Sequence, residues 1–268
     1  MTARRRYRHV IVTGGSSGIG LAVAQAVSPR ADALTLVARR AEPLAEAARL
    51  LSGAGAAVAA RSADVADAAA LAAALAAAVE ERGPADLVVA AAGRVSVGRF
   101  ADLDGAAFDA DMAVNYFGVL NTVRGLLAPG RLAAGARLVL VSSGTGLVGV
   151  PGYGAYAPSK FAVRGLAEVL RLELAPRGIG VTVVYPPDTE TPQLAAERPL
   201  RPPETAAVAG AAPALSAAAV AAAIVRGAER GRFIVAPGAK MTLLAALHSL
   251  IHPFWRAWCD RRLRRLAR

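Results

Sequence analysis

Short apolar runs alternate with longer amphipathic or alanine-rich stretches along the chain. The runs have the length of buried strands and the stretches the length of helices. Such alternation is typical of a parallel sheet covered on both faces. The predicted strands are 9–12, 34–38, 57–62, 86–90, 137–142, 180–185 and 232–236. The predicted helices are 18–28, 41–52, 67–82, 105–127, 155–176 and 216–230.

The pattern predicts an α/β fold with one catalytic domain over residues 1–238. We expect a single Rossmann-type, doubly wound parallel sheet of about seven strands, with helices on both faces. Residues 186–215 are rich in proline, alanine and threonine, and we interpret them as a substrate lid because a domain boundary so near the end of the fold is unfavourable. Residues 239–268 are predicted to form a C-terminal amphipathic helix.

A glycine-rich turn joins the first predicted strand to the first helix. It reads Thr13-Gly14-Gly15-Ser16-Ser17-Gly18-Ile19-Gly20. Glycines let the backbone approach a pyrophosphate, and a helix N-terminus offers free N–H groups. Taken alone, the turn is equally compatible with an ordinary tight turn.

Lysine is rare in this chain. Only Lys160 and Lys240 occur among 31 basic residues. Lys160 lies four residues after Tyr156, so both side chains share one face of a helix. A nearby ammonium favours phenolate and lowers the pKa of a tyrosine, which suits a general acid–base. Two exposed residues on an ordinary helix would have the same spacing.

Together these motifs resemble the classical short-chain dehydrogenase/reductase family over residues 8–235. The matching elements, in chain order, are TGxxxGxG at 13–20, Asp64, Asn115-x-x-Gly118, Ser143 and Tyr156-x-x-x-Lys160. The resemblance implies an NAD(P)-dependent oxidoreductase that transfers a hydride between a nicotinamide and a carbonyl carbon.

The resemblance also implies a role for each catalytic residue. Tyr156 would exchange the proton on the substrate oxygen, while Lys160 would hold the nicotinamide ribose and lower the pKa of the phenol. Ser143 would hydrogen-bond the substrate oxygen, with Ser142 as the structural alternative. Asn115 would hold a water that relays protons past Lys160.

Two arginines, Arg39 and Arg40, follow the second predicted strand. An acidic residue there would bind the ribose 2′-hydroxyl of NAD, whereas basic residues favour the 2′-phosphate of NADP. Solvated loop arginines are the alternative in so arginine-rich a chain. The resemblance implies further contacts to NADPH from Gly14, Ser16, Ser17, Gly18, Ile19, Gly20, Asp64, Val65, Ala92, Gly93, Tyr156, Lys160, Pro186, Thr189 and Thr191.

Two segments depart from the usual family pattern. Family members commonly have Asn-Asn-Ala-Gly after the fourth strand, where this chain has Ala90-Ala91-Ala92-Gly93. The usual Pro-Gly after the sixth strand is Pro186-Pro187 here, which stiffens that turn.

The stretches Tyr185–Pro192 and Pro203–Thr205 resemble the 3-ketodihydrosphingosine reductases, which reduce a long-chain keto-amine in sphingolipid synthesis. This implies NADPH-dependent reduction of 3-ketosphinganine to sphinganine, with a long-chain keto-lipid as the substrate. Two alternatives stay open. One is a reductase of another hydrophobic carbonyl, such as a steroid, a retinoid or a keto-acyl chain. The other is a non-catalytic nucleotide-binding scaffold.

An apolar stripe near the C-terminus recurs at helical spacing, and arginines follow it. Its members are Leu243, Leu244, Leu247, Leu250, Ile251, Phe254, Trp255 and Trp258. The arginines are Arg256, Arg261, Arg262, Arg264, Arg265 and Arg268. His248, His252 and Pro253 are expected to break the segment, which is too short and polar to span a bilayer. We expect a homo-oligomer and a peripheral membrane contact through this segment, with packing of the stripe on a neighbouring subunit as the alternative to the membrane contact.

The net charge of +11 is concentrated at the two ends of the chain. Arg4, Arg5, Arg6 and Arg8 contribute +4 and residues 253–268 contribute +5, which leaves +2 for the rest. This distribution argues against a nucleic-acid partner and fits an anionic membrane surface. The single cysteine, Cys259, favours a reducing compartment, and a strand near residue 8 leaves no room for a signal peptide. We expect a cytoplasmic protein, peripheral on the cytoplasmic face of a membrane, without a bound metal.

Overall fold

The computed structural model describes residues 5–209 and 213–266. Arg4, Arg268 and residues 210–212 of the expected lid lie outside the described residues. The strands are β1 (Tyr7–Thr13), β2 (Ala31–Ala38), β3 (Ala57–Ser62), β4 (Ala85–Ala90), β5 (Leu132–Val141), β6 (Gly180–Val184), β7 (Thr189–Glu190), β8 (Leu215–Ser216) and β9 (Ile234–Val235). The helices are α1 (Gly18–Val27), α2 (Ala41–Leu51), α3 (Ala68–Arg82), α4 (Gly105–Met112), α5 (Gly118–Leu126), α6 (Tyr156–Leu174), α7 (Pro192–Glu197), α8 (Pro203–Ala209), α9 (Ala217–Glu229) and α10 (Ala239–Leu266).

Seven of these strands form one parallel sheet in the order β3-β2-β1-β4-β5-β6-β9. The apolar side chains on one face of the sheet pack against α1, α2 and α9, and those on the other face pack against α3, α5 and α6. All six residues of β4 are buried, because helices cover the sheet on both sides. The Rossmann-type fold and the C-terminal helix predicted from the sequence are confirmed.

The strand order reverses direction next to β1, which pairs with β2 on one side and β4 on the other. The connections on the two sides of this point leave in opposite directions, so a crevice opens outside the carboxyl ends of the strands. The glycine turn follows the end of β1, at Thr13. The fold therefore places the turn in the crevice where such sheets bind ligands.

The predicted helix 105–127 is interrupted in the structure. A π-helical turn, Ala113–Phe117, separates α4 from α5. The wider turn holds Asn115 with its side chain fully buried. Single π-turns inside helices often occur at functional sites, and the apolar pattern of the sequence does not distinguish them from α-helix.

The expected break near the C-terminus is wrong, because α10 continues from Ala239 to Leu266 with Pro253 inside it. A proline in a helix removes one backbone hydrogen bond and crowds the preceding turn. Pro253 and the preceding turn around Ser249 and Leu250 are exposed, so water can satisfy the freed carbonyl. Within the described residues, no helix combines the length and the apolar character needed to cross a membrane.

Candidate active site

A cleft of about 850 Å³ lies at the carboxyl edge of the sheet. The glycine turn, the loops that follow β2, β4, β5 and β6, and one side of α10 line this cleft. Every residue assigned to catalysis from the sequence except Asn115 lines it directly. The cleft is therefore the candidate active site.

The glycine turn fits closely between β1 and β4. Gly14 has φ of +71°, and a Cβ atom built there would lie 2.6 Å from the backbone nitrogen of Ala92. A Cβ on Gly20 would lie 2.2 Å from the carbonyl oxygen of Gly14. The side chain of Ser17, at the N-cap, makes no capping hydrogen bond to α1. The first-turn N–H groups and the bare backbone at this helix end therefore suit the pyrophosphate of a dinucleotide.

Arg39 and Arg40 are exposed at one end of the cleft. Nη1 of Arg39 lies 3.5 Å from Oδ2 of Asp64, whose Oδ1 accepts a hydrogen bond from the backbone of Ala66. Val65 is buried beside them. Two exposed guanidinium groups at this end of the cleft suit a 2′-phosphate.

We expect replacement of both Arg39 and Arg40 by alanine to raise KM for NADPH by roughly 10- to 100-fold, since the two exposed guanidinium groups together stabilise the bound phosphate by about 1.4–2.8 kcal/mol. KM for NADH should change by less than about twofold, because NADH carries no phosphate there. Steady-state kinetics with both cofactors measure this. Arg49→Ala is the matched control, since Arg49 is exposed on α2 and does not line the cleft. Equal losses with the two cofactors would contradict the assignment.

Tyr156, Ser143 and Lys160 meet in the middle of the cleft. The Ser143 hydroxyl, which follows β5, lies beside the Tyr156 phenol and acts to lower the pKa of that phenol. Nζ of Lys160 lies 5.5 Å from the centre of the Tyr156 ring and donates a 3.1 Å hydrogen bond to the carbonyl of Val141. Because Tyr156 begins α6 and Lys160 lies one turn later, the helix holds both against the end of β5.

Burial changes the protonation of both groups. It raises the pKa of the Tyr156 phenol well above its ordinary value, and the Ser143 hydroxyl only partly opposes this. The expected lowering of the phenol pKa by Lys160 is therefore not what this structure shows. Burial also lowers the pKa of Lys160 to about 8, with Asp111 opposing. A phenol that keeps its proton at neutral pH is a proton donor, which suits reduction of a carbonyl.

The two neighbouring serines have different surroundings. Oγ of Ser142 is buried and donates a 2.8 Å hydrogen bond to the carbonyl of Lys160, so it ties α6 to β5. Ser143 is half-buried beside Tyr156, and its Oγ accepts a hydrogen bond from the backbone N–H of Thr145. The geometry favours Ser143 as the residue that contacts substrate.

Asn115, on the π-turn, connects two parts of the site by hydrogen bonds. Its Nδ2 donates to the carbonyl of Arg94 at 3.0 Å and to Oγ of Ser159 at 2.9 Å, while its Oδ1 accepts from the N–H of Arg94. Both amide hydrogens are thus used by the protein. The side chain connects the segment after β4 to α6, and its water-relay role stays a prediction.

The remaining candidates lie around the same cleft. Oγ1 of Thr189 donates to the carbonyl of Pro187, and Oγ1 of Thr191 accepts from the N–H of Leu194 and so caps α7. A Cβ on Gly18 would lie 3.2 Å from Cγ2 of Thr191, so the segment that contains Thr191 packs directly against the glycine turn. Further cleft residues are Ser16, Ile19, Ala92, Gly93 and Pro186.

A polar cluster that was not predicted from the sequence lies beside Ser143, Tyr156 and Lys160. Oη of Tyr153 donates a 3.0 Å hydrogen bond to Oε1 of Glu197, and Arg201 binds both Glu197 and Asp188. Tyr153, Glu197 and Asp188 line the cleft. The sequence showed only that Glu197, the last residue of α7, and Arg201 are four residues apart. A second ion pair, between the exposed Arg94 and the buried Asp111, is similarly without a sequence signal.

The apolar C-terminal residues do not form a single stripe. Leu244, Ile251 and Trp255 line the cleft on one side of α10, and the exposed Leu243 lines its edge. A neighbouring side of the helix is exposed along most of its length, with the members Leu243, Leu247, Leu250, Phe254 and Trp258. The helix therefore contributes both a wall of the cleft and an exposed apolar surface. The helical periodicity of the sequence does not distinguish these two sides.

Comparisons with known proteins agree with this geometry. Residues 8–201 match the model of the short chain dehydrogenase family. The chain is 37% identical over 244 residues to a 3-ketodihydrosphingosine reductase of Bos taurus, covering 89% of this chain and 74% of the relative. A solved short chain dehydrogenase/reductase from Burkholderia phymatum, in complex with NAD, is 26% identical with a TM-score of 0.82, over 94% of this chain and 96% of that one. An alcohol dehydrogenase from Thermococcus sibiricus, complexed with 5-hydroxy-NADP, is 25% identical with a TM-score of 0.71, over 82% and 89%.

Proposed function

The chain belongs to the short chain dehydrogenase family, and on that premise we propose that it reduces 3-ketosphinganine to sphinganine with NADPH. The observation that carries this proposal is the meeting of Ser143, Tyr156 and Lys160 in one cleft with the glycine turn. Similarity to 3-ketodihydrosphingosine reductase over most of the chain supports the substrate. We further propose residues 1–238 as the catalytic domain, with 186–215 as its lid.

The residues present fit an NADP cofactor. The bare turn at Gly14, Gly18 and Gly20 would hold the pyrophosphate, and Arg39 and Arg40 would hold the 2′-phosphate. The relatives of solved structure include both an NAD and an NADP complex, so the fold alone does not choose between the cofactors. The two arginines are what favour NADPH in this chain.

The protein residues have separate parts in the reduction. When bound, NADPH supplies a hydride to the carbonyl carbon. Tyr156 donates its proton to the carbonyl oxygen, and its raised pKa keeps that proton available at neutral pH. Ser143 orients the oxygen by a hydrogen bond. Lys160, anchored on the carbonyl of Val141, supplies positive charge beneath the phenol ring.

The test is NADPH consumption with 3-ketosphinganine, followed by identification of the product. We expect sphinganine to form in proportion to NADPH consumed, and faster than the alcohol from a steroid, retinoid or keto-acyl carbonyl. Turnover of one of those carbonyls with none of 3-ketosphinganine would favour the alternative reductase. Absence of turnover with every ketone would leave only the nucleotide-binding scaffold.

We also propose that α10 rests on an anionic membrane surface. Leu243, Leu247, Leu250 and Phe254 are exposed at i, i+4, i+7 and i+11, so they form one apolar face beside the cleft. Exposed arginines follow in the last turns of the helix. Apolar burial together with attraction to anionic lipid, such as that of the cytoplasmic leaflet, is the usual basis of interfacial helices. A long-chain substrate could then pass from lipid into the cleft along the neighbouring side of α10.

We expect the double variant Leu250→Asp/Phe254→Asp to bind vesicles of phosphatidylcholine and phosphatidylglycerol at least about tenfold more weakly, because burying each side chain contributes about 1.5–3 kcal/mol. Co-sedimentation with the vesicles measures this. Leu50→Asp is the control, since Leu50 is equally exposed but lies on α2. Unchanged vesicle binding with a lower molar mass of the variant in solution would show that the face packs in the homo-oligomer instead.

A further inference from the structure

A buried carboxylate lies in the catalytic cleft without a role in the proton transfer. Glu197, the last residue of α7, is only 8% exposed and lines the cleft together with Tyr156 and Ser143. A carboxylate is costly to bury unless a positive group or several donors surround it. Its position on the lid, facing the reacting groups, makes it a candidate contact for substrate.

Tyr153 connects Glu197 to the proton donor. Oη of Tyr153 donates a 3.0 Å hydrogen bond to Oε1 of Glu197. The Tyr153 ring packs against the Tyr156 ring with 5.8 Å between their centres. The carboxylate is therefore separated from the catalytic phenol by one side chain, and both line the same cleft.

The charges around Glu197 do not balance. Arg201 binds Asp188 through two hydrogen bonds of 2.7 and 2.9 Å and also contacts Oε1 of Glu197. The single guanidinium of Arg201 thus pairs with two carboxylates. The three side chains together carry one net negative charge. Among the residues that the structure describes, no donor bonds Oε2 of Glu197. The cluster is therefore arranged to accept one further cation from the cleft.

We infer that Glu197 binds the ammonium group of the substrate and makes the site selective for keto-amines over neutral ketones. This inference rests on the proposed function, because 3-ketosphinganine carries its amino group on the carbon next to the ketone. A ketone held by Tyr156 and Ser143 carries that ammonium on the carbon next to the reacting centre, inside the cleft that Glu197 also lines. Hydrophobic walls such as Leu244 and Ile251 then accommodate the alkyl chain.

The test compares 3-ketosphinganine with its N-acetyl derivative, in which the nitrogen carries no charge. We expect wild-type protein to prefer the free amine, and Glu197→Gln to lower kcat/KM for the free amine by roughly 10- to 100-fold. The variant should change kcat/KM for the N-acetyl compound by less than about twofold. Glutamine keeps the volume and an acceptor for Tyr153, so the cluster can stay folded. Glu190→Gln is the matched control, because Glu190 is exposed on the same segment and does not line the cleft.

The possible results distinguish binding of the substrate ammonium by Glu197 from a structural role of this residue. A preference for the free amine in wild type that is lost in Glu197→Gln and kept in Glu190→Gln supports the inference. Equal losses on both compounds would show a structural role and overturn it, and so would an unchanged preference. If wild type reduces another ketone but not 3-ketosphinganine, the proposed function itself fails, which the wild-type assay reveals before any variant is compared.

Discussion

Replacing Tyr156 with phenylalanine is expected to lower kcat for ketone reduction by about 10³-fold or more, because a positioned general acid contributes about 10²–10⁴-fold and no neighbour can replace it. The Tyr153 hydroxyl is already donated to Glu197, and Lys160 lies beneath the ring rather than at its hydroxyl. Phenylalanine keeps the ring that packs against Tyr153. The affinity for NADPH should therefore change by less than about twofold.

Single-turnover reduction and a fluorescence titration with NADPH measure these two quantities separately. Tyr116→Phe serves as the control, since Tyr116 lies on the π-turn and does not line the cleft. The role assigned to Tyr156 would be wrong if the variant kept its turnover and lost its affinity for the cofactor.

Replacing Lys160 with methionine is expected to abolish activity and yet raise the free energy of unfolding at pH 7 by about 1–2 kcal/mol. Burial lowers the pKa of Lys160 from 10.5 to about 8, which corresponds to about 3 kcal/mol of cost for keeping the buried ammonium charged. Methionine removes that cost, but it also removes the hydrogen bond to the Val141 carbonyl, which offsets about 1–2 kcal/mol. Kinetic assays should show a loss of at least about 100-fold, because the positive charge beneath Tyr156 is gone.

The pH dependence of this stability difference identifies its cause. Below pH 8 the lysine is protonated in both folded and unfolded states, so the full cost is present. Between about pH 8 and 10.5 only the unfolded state keeps the proton, and the wild type gains stability as the pH rises. The advantage of the variant should therefore disappear across this window in urea unfolding experiments. Lys240→Met is the control, since Lys240 is exposed. A stability difference that does not change with pH would contradict the explanation.

The sequence predicted the order of the elements and the position of the cleft because both follow from local patterns. Each sheet strand was placed within a few residues, except that β5 begins earlier, at Leu132. Gly14 and Gly20 lie where another part of the backbone approaches too closely for a side chain. The position of this glycine turn in the sequence therefore indicated the position of the cleft. The spacing of Tyr156 and Lys160 on one helix is equally local.

Features that depend on tertiary environment could not be predicted in this way. The pKa of the Tyr156 phenol depends on burial. Loss of contact with water raises this pKa by more than nearby groups lower it. Pro253 stays inside α10 because its surroundings are solvent, which no pattern in the sequence shows. Glu197 and Tyr153 are 44 residues apart and meet only in the folded chain.

Transfer of deuterium from NADPH labelled at the reactive C4 position tests the central claim most directly. With 3-ketosphinganine as the acceptor, the wild-type protein should produce sphinganine that carries deuterium on C3, and Tyr156→Phe should produce none in the same time. Mass spectrometry of the product distinguishes this from label exchanged with solvent. Unlabelled sphinganine, or labelled product from the variant at the wild-type rate, would contradict direct hydride transfer with Tyr156 as the proton donor.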